Sequence, residues 1–204
     1  MITLSTEQIV ARAQAVVLRE AQAVSALADQ LDQGFVPVVE MLLGCTGHVL
    51  VTGAGTSAAV AERLAHLLSC CGTAALFISA ADSLHGGSGA ITSKDVVYII
   101  STGGHSAEVN QFADLARARG AKIVVQTEDV RAPLAQKADV VYKVKTVGDV
   151  DPFGMIAIGS SLVNAAAGDA LCVVLLDLRG YSLADFGRTH PGGAVGKKLE
   201  GDGV

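Results

Sequence analysis

The sequence predicts an α/β fold built on a parallel sheet with helices on both faces. From residue 48 onward, short β-branched runs alternate with helical ones, and the Ser/Thr/Gly clusters fall where strands give way to helices. Half of the 204 residues are apolar, yet only 4% are aromatic. The core must therefore be built from Ala, Val, Leu and Ile, which suits helices laid closely on a Val/Ile-rich sheet. A chain of this length can bury a proper core and is expected to form one domain.

Glu7 to Leu31 is rich in Ala, Leu, Gln and Glu at helical spacing, and Phe35 to Leu43 reads as a second helix after Gly34. Strand–helix units follow: His48–Thr52 then Ala58–Cys70; Ala75–Ser79 then a short helical turn; Val96–Ser101 then Ala107–Arg119; Lys122–Gln126 then Ala132–Gln136; and finally Val140–Lys143. Such alternation implies crossover connections and parallel strands. Met155 to Leu178 is apolar enough to span a membrane, but Asn164, Asp169 and Asp177 suit a buried helix better, so no membrane is expected. Tyr181 to Leu199 reads as a less regular tail that folds back on the body. The expected organisation is one domain over 1–204, with N-terminal helices over 1–45, an α/β core over 46–180 and a tail over 181–204.

The net charge is −5 and the basic residues are scattered, which argues against a nucleic-acid surface. Cys45, Cys70, Cys71 and Cys172 have no metal-ligand spacing and read as reduced thiols. Glu7, Arg12, Arg19 and Glu20 in the first helical run argue against a signal peptide. A cytoplasmic protein is expected.

Two loops carry the chemistry. Ser101-Thr102-Gly103-Gly104-His105-Ser106 follows the third strand and offers hydroxyls, glycines and the free N–H groups of a helix start. Glycine permits the turn, exposed amides form an anion nest, and the helix dipole favours negative charge. A phosphate monoester fits that bed; the plainer reading is that Ser106 caps the helix, with Glu108 in its first turn. Gly53-Ala54-Gly55-Thr56-Ser57-Ala58 follows the first strand and matches the start of the dinucleotide fingerprint. That fingerprint also needs an acid at the end of the second strand, which instead reads Phe77-Ile78-Ser79-Ala80. No dinucleotide cofactor is expected.

With Ala81-Asp82-Ser83-Leu84-His85-Gly86, Ala138-Asp139-Val140 and the tail His190-Pro191-Gly192-Gly193-Ala194-Val195-Gly196-Lys197-Lys198-Leu199, these loops resemble the sugar isomerase (SIS) domain family. The tail and His85-Gly86 are similar to its arabinose-5-phosphate isomerase branch. The resemblance implies a three-layer sandwich around a five-stranded parallel sheet (SIS-type, flavodoxin/Rossmann-like) with an N-terminal helical hairpin. It implies a homotetramer with sites at subunit boundaries. The implied reaction is aldose–ketose isomerisation of a phosphorylated sugar through a cis-enediol, without a cofactor.

Carried onto this chain, the resemblance assigns phosphate binding to Gly55, Thr56, Ser57, Ser101, Thr102, Gly103, Gly104 and Ser106. Proton transfer falls to His190, His85, His105 and Asp149. Three positions depart from the family. Thr56 replaces the Lys of Gly-x-Gly-Lys-Ser, His105 replaces a Glu, and Asp149 stands where a longer Glu is usual. The branch usually carries a pair of CBS domains after the tail, and a form without them is expected. His85 reads equally as an interface histidine, and His105 as a solvent-facing one. One of Asp149 and Asp151 is expected to cap the following helix, while His48 and His66 read as structural. His85, His105, His190 and Asp149 could converge on zinc, but their spacing carries no ligand signature and no metal is expected. Two alternatives stay open: a non-catalytic sugar-phosphate sensor or adaptor, and a lyase or epimerase on the same fold.

Overall fold

The computed structural model describes residues 4–192 and residue 196. In chain order the elements are α1 (Thr6–Ser25), α2 (Val36–Leu43), β1 (Val49–Gly53), α3 (Thr56–Cys70), β2 (Ala75–Phe77), α4 (Ala80–Ser83), β3 (Val96–Ile100), α5 (Ala107–Ala118), β4 (Lys122–Thr127), β5 (Val140–Lys143), α6 (Gly159–Arg179) and α7 (Leu183–Thr189). The five strands run parallel in the order β2-β1-β3-β4-β5.

Period-two alternation sends the strand side chains into two cores. Val96, Tyr98 and Ile100 of β3 join Val49 and Val51 beneath α2, α3 and α6. Val97 and Ile99 join Leu50, Ile123 and Val125 beneath α5, with Val109 and Phe112 facing them. The result is the expected three-layer sandwich. Both N-terminal helices are present, and each lies against α6.

Four local expectations change. The first helix ends at Ser25, and Gln30 turns its side-chain amide onto the Lys145 backbone, donating to its carbonyl at 2.9 Å and accepting from its N–H at 2.8 Å. The second strand stops at Phe77, because Ser79 is taken as the N-cap of α4. Ala132–Gln136 holds only a 3-10 turn over Ala135–Lys137, since Pro133 lacks an N–H and disfavours helical backbone at Ala132. The tail is more regular than expected: Ser182 and Asp185 form a capping box that starts α7. Gly193, Ala194, Val195, Lys197, Lys198 and Leu199 of the tail lie outside the described residues.

α6 is long and apolar enough to cross a membrane by length and composition. One face is nonetheless in the core, through Val163, Leu171 and Leu175. Of its polar residues, Asn164 accepts from Gln126 at 2.8 Å and Asp169 accepts a two-pronged bond from Arg63 at 2.7 and 3.0 Å, while Asp177 is exposed.

Strand order matters for function. β1 connects outward to β2, while β3 lies on the other side of β1 and leads on to β4 and β5. The direction of winding reverses between β1 and β3, and the crevice outside the carboxyl ends of those strands is where ligands bind in open α/β sheets.

Candidate active site at the β1/β3 crevice

Both hydroxyl-rich loops leave the sheet at this crevice. Gly53 ends β1, and a Cβ there would lie 2.8 Å from the Ser57 carbonyl and 2.9 Å from that of Ile100. Only glycine lets the chain turn so closely into α3. Gly104 has φ +68°, and a Cβ there would come within 2.6 Å of the Ala132 Cβ. The Ser101 hydroxyl accepts from the Gly104 N–H at 3.2 Å and so shapes the turn. The Thr102 carbonyl accepts from the Thr127 hydroxyl at 3.0 Å and the Glu128 N–H at 3.1 Å. Asn110 ties the far end, donating to the carbonyls of Gly104 and Ser106 at 3.1 and 3.0 Å.

Ser106 occupies the N-cap position of α5, but its hydroxyl makes no capping bond. The capping expected of it is absent, and the group stands free at a helix start. α3 likewise begins at Gly55, which has no side chain to cap it.

Thr56, Ser57 and Val60 of α3, Thr102 of the second loop, and Ala157, Ser160, Ser161 and Asn164 at the start of α6 line one small cleft. Three predicted phosphate ligands thus border one narrow cleft of about 10 Å³, the room of a single water, so a larger anion would rest at its mouth; Gly55, Ser101, Gly103, Gly104 and Ser106 belong to the loops that frame it. Sequence reasoning missed the α6 wall. Its only signal was the Ser160-Ser161 pair opening a long apolar helix.

Among the described residues no charged side chain lines the cleft. Asp151 takes up the backbone N–H groups and the Ser160 hydroxyl that open α6, and the Ser161 hydroxyl donates to the Ile158 carbonyl at 2.8 Å, so the side-chain donor α6 presents to the cleft is the Asn164 amide. Asp151 Oδ1 accepts from the N–H groups of Ile158, Gly159 and Ser160 at 2.8, 2.8 and 3.2 Å, and its Oδ2 accepts from the Ser160 hydroxyl. Asp151 is the capping member of the Asp149/Asp151 pair. Asp149 is exposed, in a separate recess beside Arg19 and Phe153.

The histidines are dispersed. His105 is exposed on the loop itself, and His85 is exposed beyond α4, on the carboxyl side of edge strand β2. His190 lies at the opposite end of α3. Its ring stacks on Phe186 with centroids 3.8 Å apart, its Nδ1 is 2.9 Å from the Phe186 carbonyl, and its Nε2 is 3.4 Å from the Cys70 Sγ. Thr56 and Cys70 are the two ends of α3, so about 20 Å of helix separates His190 from the cleft of its own chain. Among the described residues no three His, Cys, Asp or Glu side chains group closely enough to hold a metal ion.

Residues 42–174, which include both loops and the α6 wall, match the SIS domain family. The chain belongs to the SIS domain family. Over 180 residues it is 34% identical to the arabinose 5-phosphate isomerase KdsD of Pseudomonas aeruginosa, covering 88% of this chain and 55% of that protein. The SIS chain thus spans about half the length of the curated relatives it matches. A candidate sugar-phosphate isomerase from Listeria monocytogenes superposes with a TM-score of 0.89 at 29% identity, covering 93% of this SIS chain and all of that one. An Escherichia coli CFT073 protein in complex with arabinose 5-phosphate superposes with a TM-score of 0.88 at 26% identity, covering 92% of this chain and all of that one.

Proposed function

We propose that this SIS protein interconverts a phosphorylated aldose and ketose through an enediol, with the phosphate seated at the mouth of the cleft between the β1 and β3 loops and α6. The observation that carries this reading is the set of unspent donors at the crevice. The Ser106 hydroxyl is not used as a cap, and Thr56, Ser57, Thr102 and Asn164 meet across one space. The amides opening α3 and α5 add their dipoles. The relatives named as arabinose 5-phosphate isomerases and the neighbour complexed with arabinose 5-phosphate support the same substrate class.

In the reaction a base removes the proton alpha to the carbonyl, and the cis-enediol is reprotonated at the adjacent carbon, each step needing a group with a pKa near neutrality. His105 and Asp149 are the candidates within the chain. His190, about 20 Å along α3 from its own cleft, serves the cleft of a neighbouring copy, and His85 at the sheet edge does the same. That arrangement requires an oligomer, in our reading a homotetramer with sites at subunit boundaries. Exposed Ile9, Val10, Val17 and Leu18 on α1, each at least 50% accessible, supply apolar surface for association. The remaining reading is of a single cytoplasmic domain over 1–204 that needs no cofactor and engages neither nucleic acid nor membrane.

Incubation with pentose and hexose phosphates in heavy water tests the proposal. Deuterium should enter at C1 or C2, and His190→Ala should abolish exchange while leaving affinity within about tenfold, since a proton shuttle acts mainly on the transition state. Exchange that persists unchanged in the variant removes His190 from the mechanism. The uncharged cleft lining favours one second reading, a sugar-phosphate sensor, for which tight binding without any exchange is the signature. Incorporation of deuterium with bond cleavage or inversion would instead indicate a lyase or epimerase.

A further inference from the structure

A chain of buried side chains runs from the middle of the sheet to the cleft. Tyr98 on β3 donates its hydroxyl to Gln126 Oε1 at 2.6 Å. Gln126 on β4 donates from Nε2 to the Asn164 backbone carbonyl at 3.1 Å and to Asn164 Oδ1 at 2.8 Å. Asn164 on α6 donates from Nδ2 to the Thr102 hydroxyl oxygen at 3.4 Å. Tyr98 and Gln126 are fully buried and Asn164 is 6% exposed.

The polarity of this chain has one consistent solution. A backbone carbonyl can only accept, so the end of Gln126 that faces Asn164 must be the NH2 group. Its oxygen then faces Tyr98, which must donate. Burial pushes the Tyr98 hydroxyl well above its ordinary value, so the proton it donates stays in place. The second hydrogen on Gln126 Nε2 requires an acceptor, which turns the Asn164 Oδ1 inward and its NH2 group toward the cleft. There one N–H reaches Thr102. Because Thr102 accepts that bond, its own hydroxyl hydrogen is left to donate elsewhere. The second N–H of Asn164 is left over on a residue that lines the cleft.

We propose that Asn164 is a ligand-binding residue that donates to the phosphate of the substrate, and that Gln126 and Tyr98 are positioning residues that hold its amide, and through it the Thr102 hydroxyl, as donors. This rests on the sugar-phosphate reading above and adds a wall to the site. In a cleft whose described lining carries no charged side chain, orientation of neutral donors substitutes for a cation. A buried network costs more to misorient than a surface one, because each reversed amide leaves an unpaired group.

The test is calorimetric titration of the full chain with inorganic phosphate, a phosphorylated pentose and the same pentose without phosphate. Asn164→Asp keeps an acceptor for Gln126 but replaces the donor by a carboxylate. It should weaken binding of both phosphate-bearing ligands by at least about tenfold, with any interaction of the unphosphorylated sugar unchanged. Tyr98→Phe should weaken the same two ligands less, by about two- to fivefold, with the melting temperature reported alongside. A structural role alone would lower the melting temperature and act on all ligands alike. If Asn164→Asp fails to fold, the Asn164 side-chain amide resonances of the wild type decide: they should shift on phosphate titration and saturate with the calorimetric affinity. Wild type that binds no phosphate-bearing ligand overturns the function itself. Wild type that binds, with Asn164→Asp equally tight or with unmoved Asn164 resonances, overturns only the role given to Asn164.

Discussion

Ser106 and Ser182 occupy the same formal position, the residue before a helix, and do different things there. Ser182 Oγ accepts from the Asp185 N–H at 3.2 Å, and the Asp185 carboxylate answers the Ser182 N–H at 2.8 Å. Ser106 makes no such bond. Replacing Ser182 by Ala should therefore cost about 1 kcal/mol of stability, whereas Ser106→Ala should leave stability within about 0.5 kcal/mol and weaken phosphate-ester binding by about 1–3 kcal/mol. Thermal melts and calorimetry on the two variants separate the roles. A Ser106 variant that melts early yet binds normally would make it an ordinary cap. The residue string separates these serines by one position: Asp185 stands three residues after Ser182, the capping-box spacing, whereas Val109 stands there after Ser106 and the acid, Glu108, comes one residue early. The loop before Ser106 also turns at Gly104, at φ +68° with Ala132 where a side chain would stand.

At the scale of elements, strand register is held partly by carboxylates at turns. Asp95 precedes β3 and accepts from the His48 N–H at 2.7 Å and from the Thr92 N–H and hydroxyl at 2.7 and 2.9 Å. Asp139 precedes β5 and accepts from the Ile123 N–H at 2.8 Å and Lys122 Nζ at 3.1 Å. Burial pushes both carboxyls up, but these bonds outweigh it and hold both below their ordinary values. A carboxyl depressed in the folded state contributes stability that is complete above its unfolded pKa and lost as pH falls through the folded one. Stability should therefore hold from neutrality down to about pH 4 and fall below it. Asp95→Asn should flatten that acid limb in denaturant titrations at pH 7 and pH 3; an unchanged pH dependence would remove Asp95 from the account. Asp139 was legible in the sequence only as part of a family motif, and Asp95 carried no signal at all. The central strands β1, β3 and β4 were legible as β-branched runs punctuated by turn residues, whereas edge strand β2, Ala75-Leu76-Phe77, has no β-branched residue and ended earlier than its pattern suggested. Where a single residue overrode the pattern, as Pro133 does after Ala132, the helix failed.

For the whole molecule, the consequence of α3 is a separation. Its N-terminus opens the cleft and its C-terminus meets His190 through Cys70, so groups the sequence places on one list sit about 20 Å apart. Sequence order made both ends visible and said nothing about the distance, because that depends on where α7 delivers His190, beside Cys70 at the C-terminal end of α3. The Ser/Thr nests were readable from local chemistry, while the α6 wall was not, since Asn164 reaches Thr102 only through packing of residues far apart in the chain. If His190 serves a neighbouring cleft, mixing protomers should restore activity. His190→Ala and Thr102→Val chains, each inactive alone, should regain about a quarter of wild-type exchange when reassembled together, the share of sites that draws an intact cleft from one and an intact histidine from the other. Mixed assemblies that stay inactive would place His190 outside the neighbour's chemistry.

The most direct measurement of the central claim is a crystal of the full chain soaked with a phosphorylated pentose. Phosphorus should appear within hydrogen-bond reach of Thr56, Ser57, Thr102, Ser106 and Asn164, its oxygens facing the amides that open α3 and α5. A phosphate bound at another surface, with the crevice between β1 and β3 closed over by its own side chains, would contradict the account.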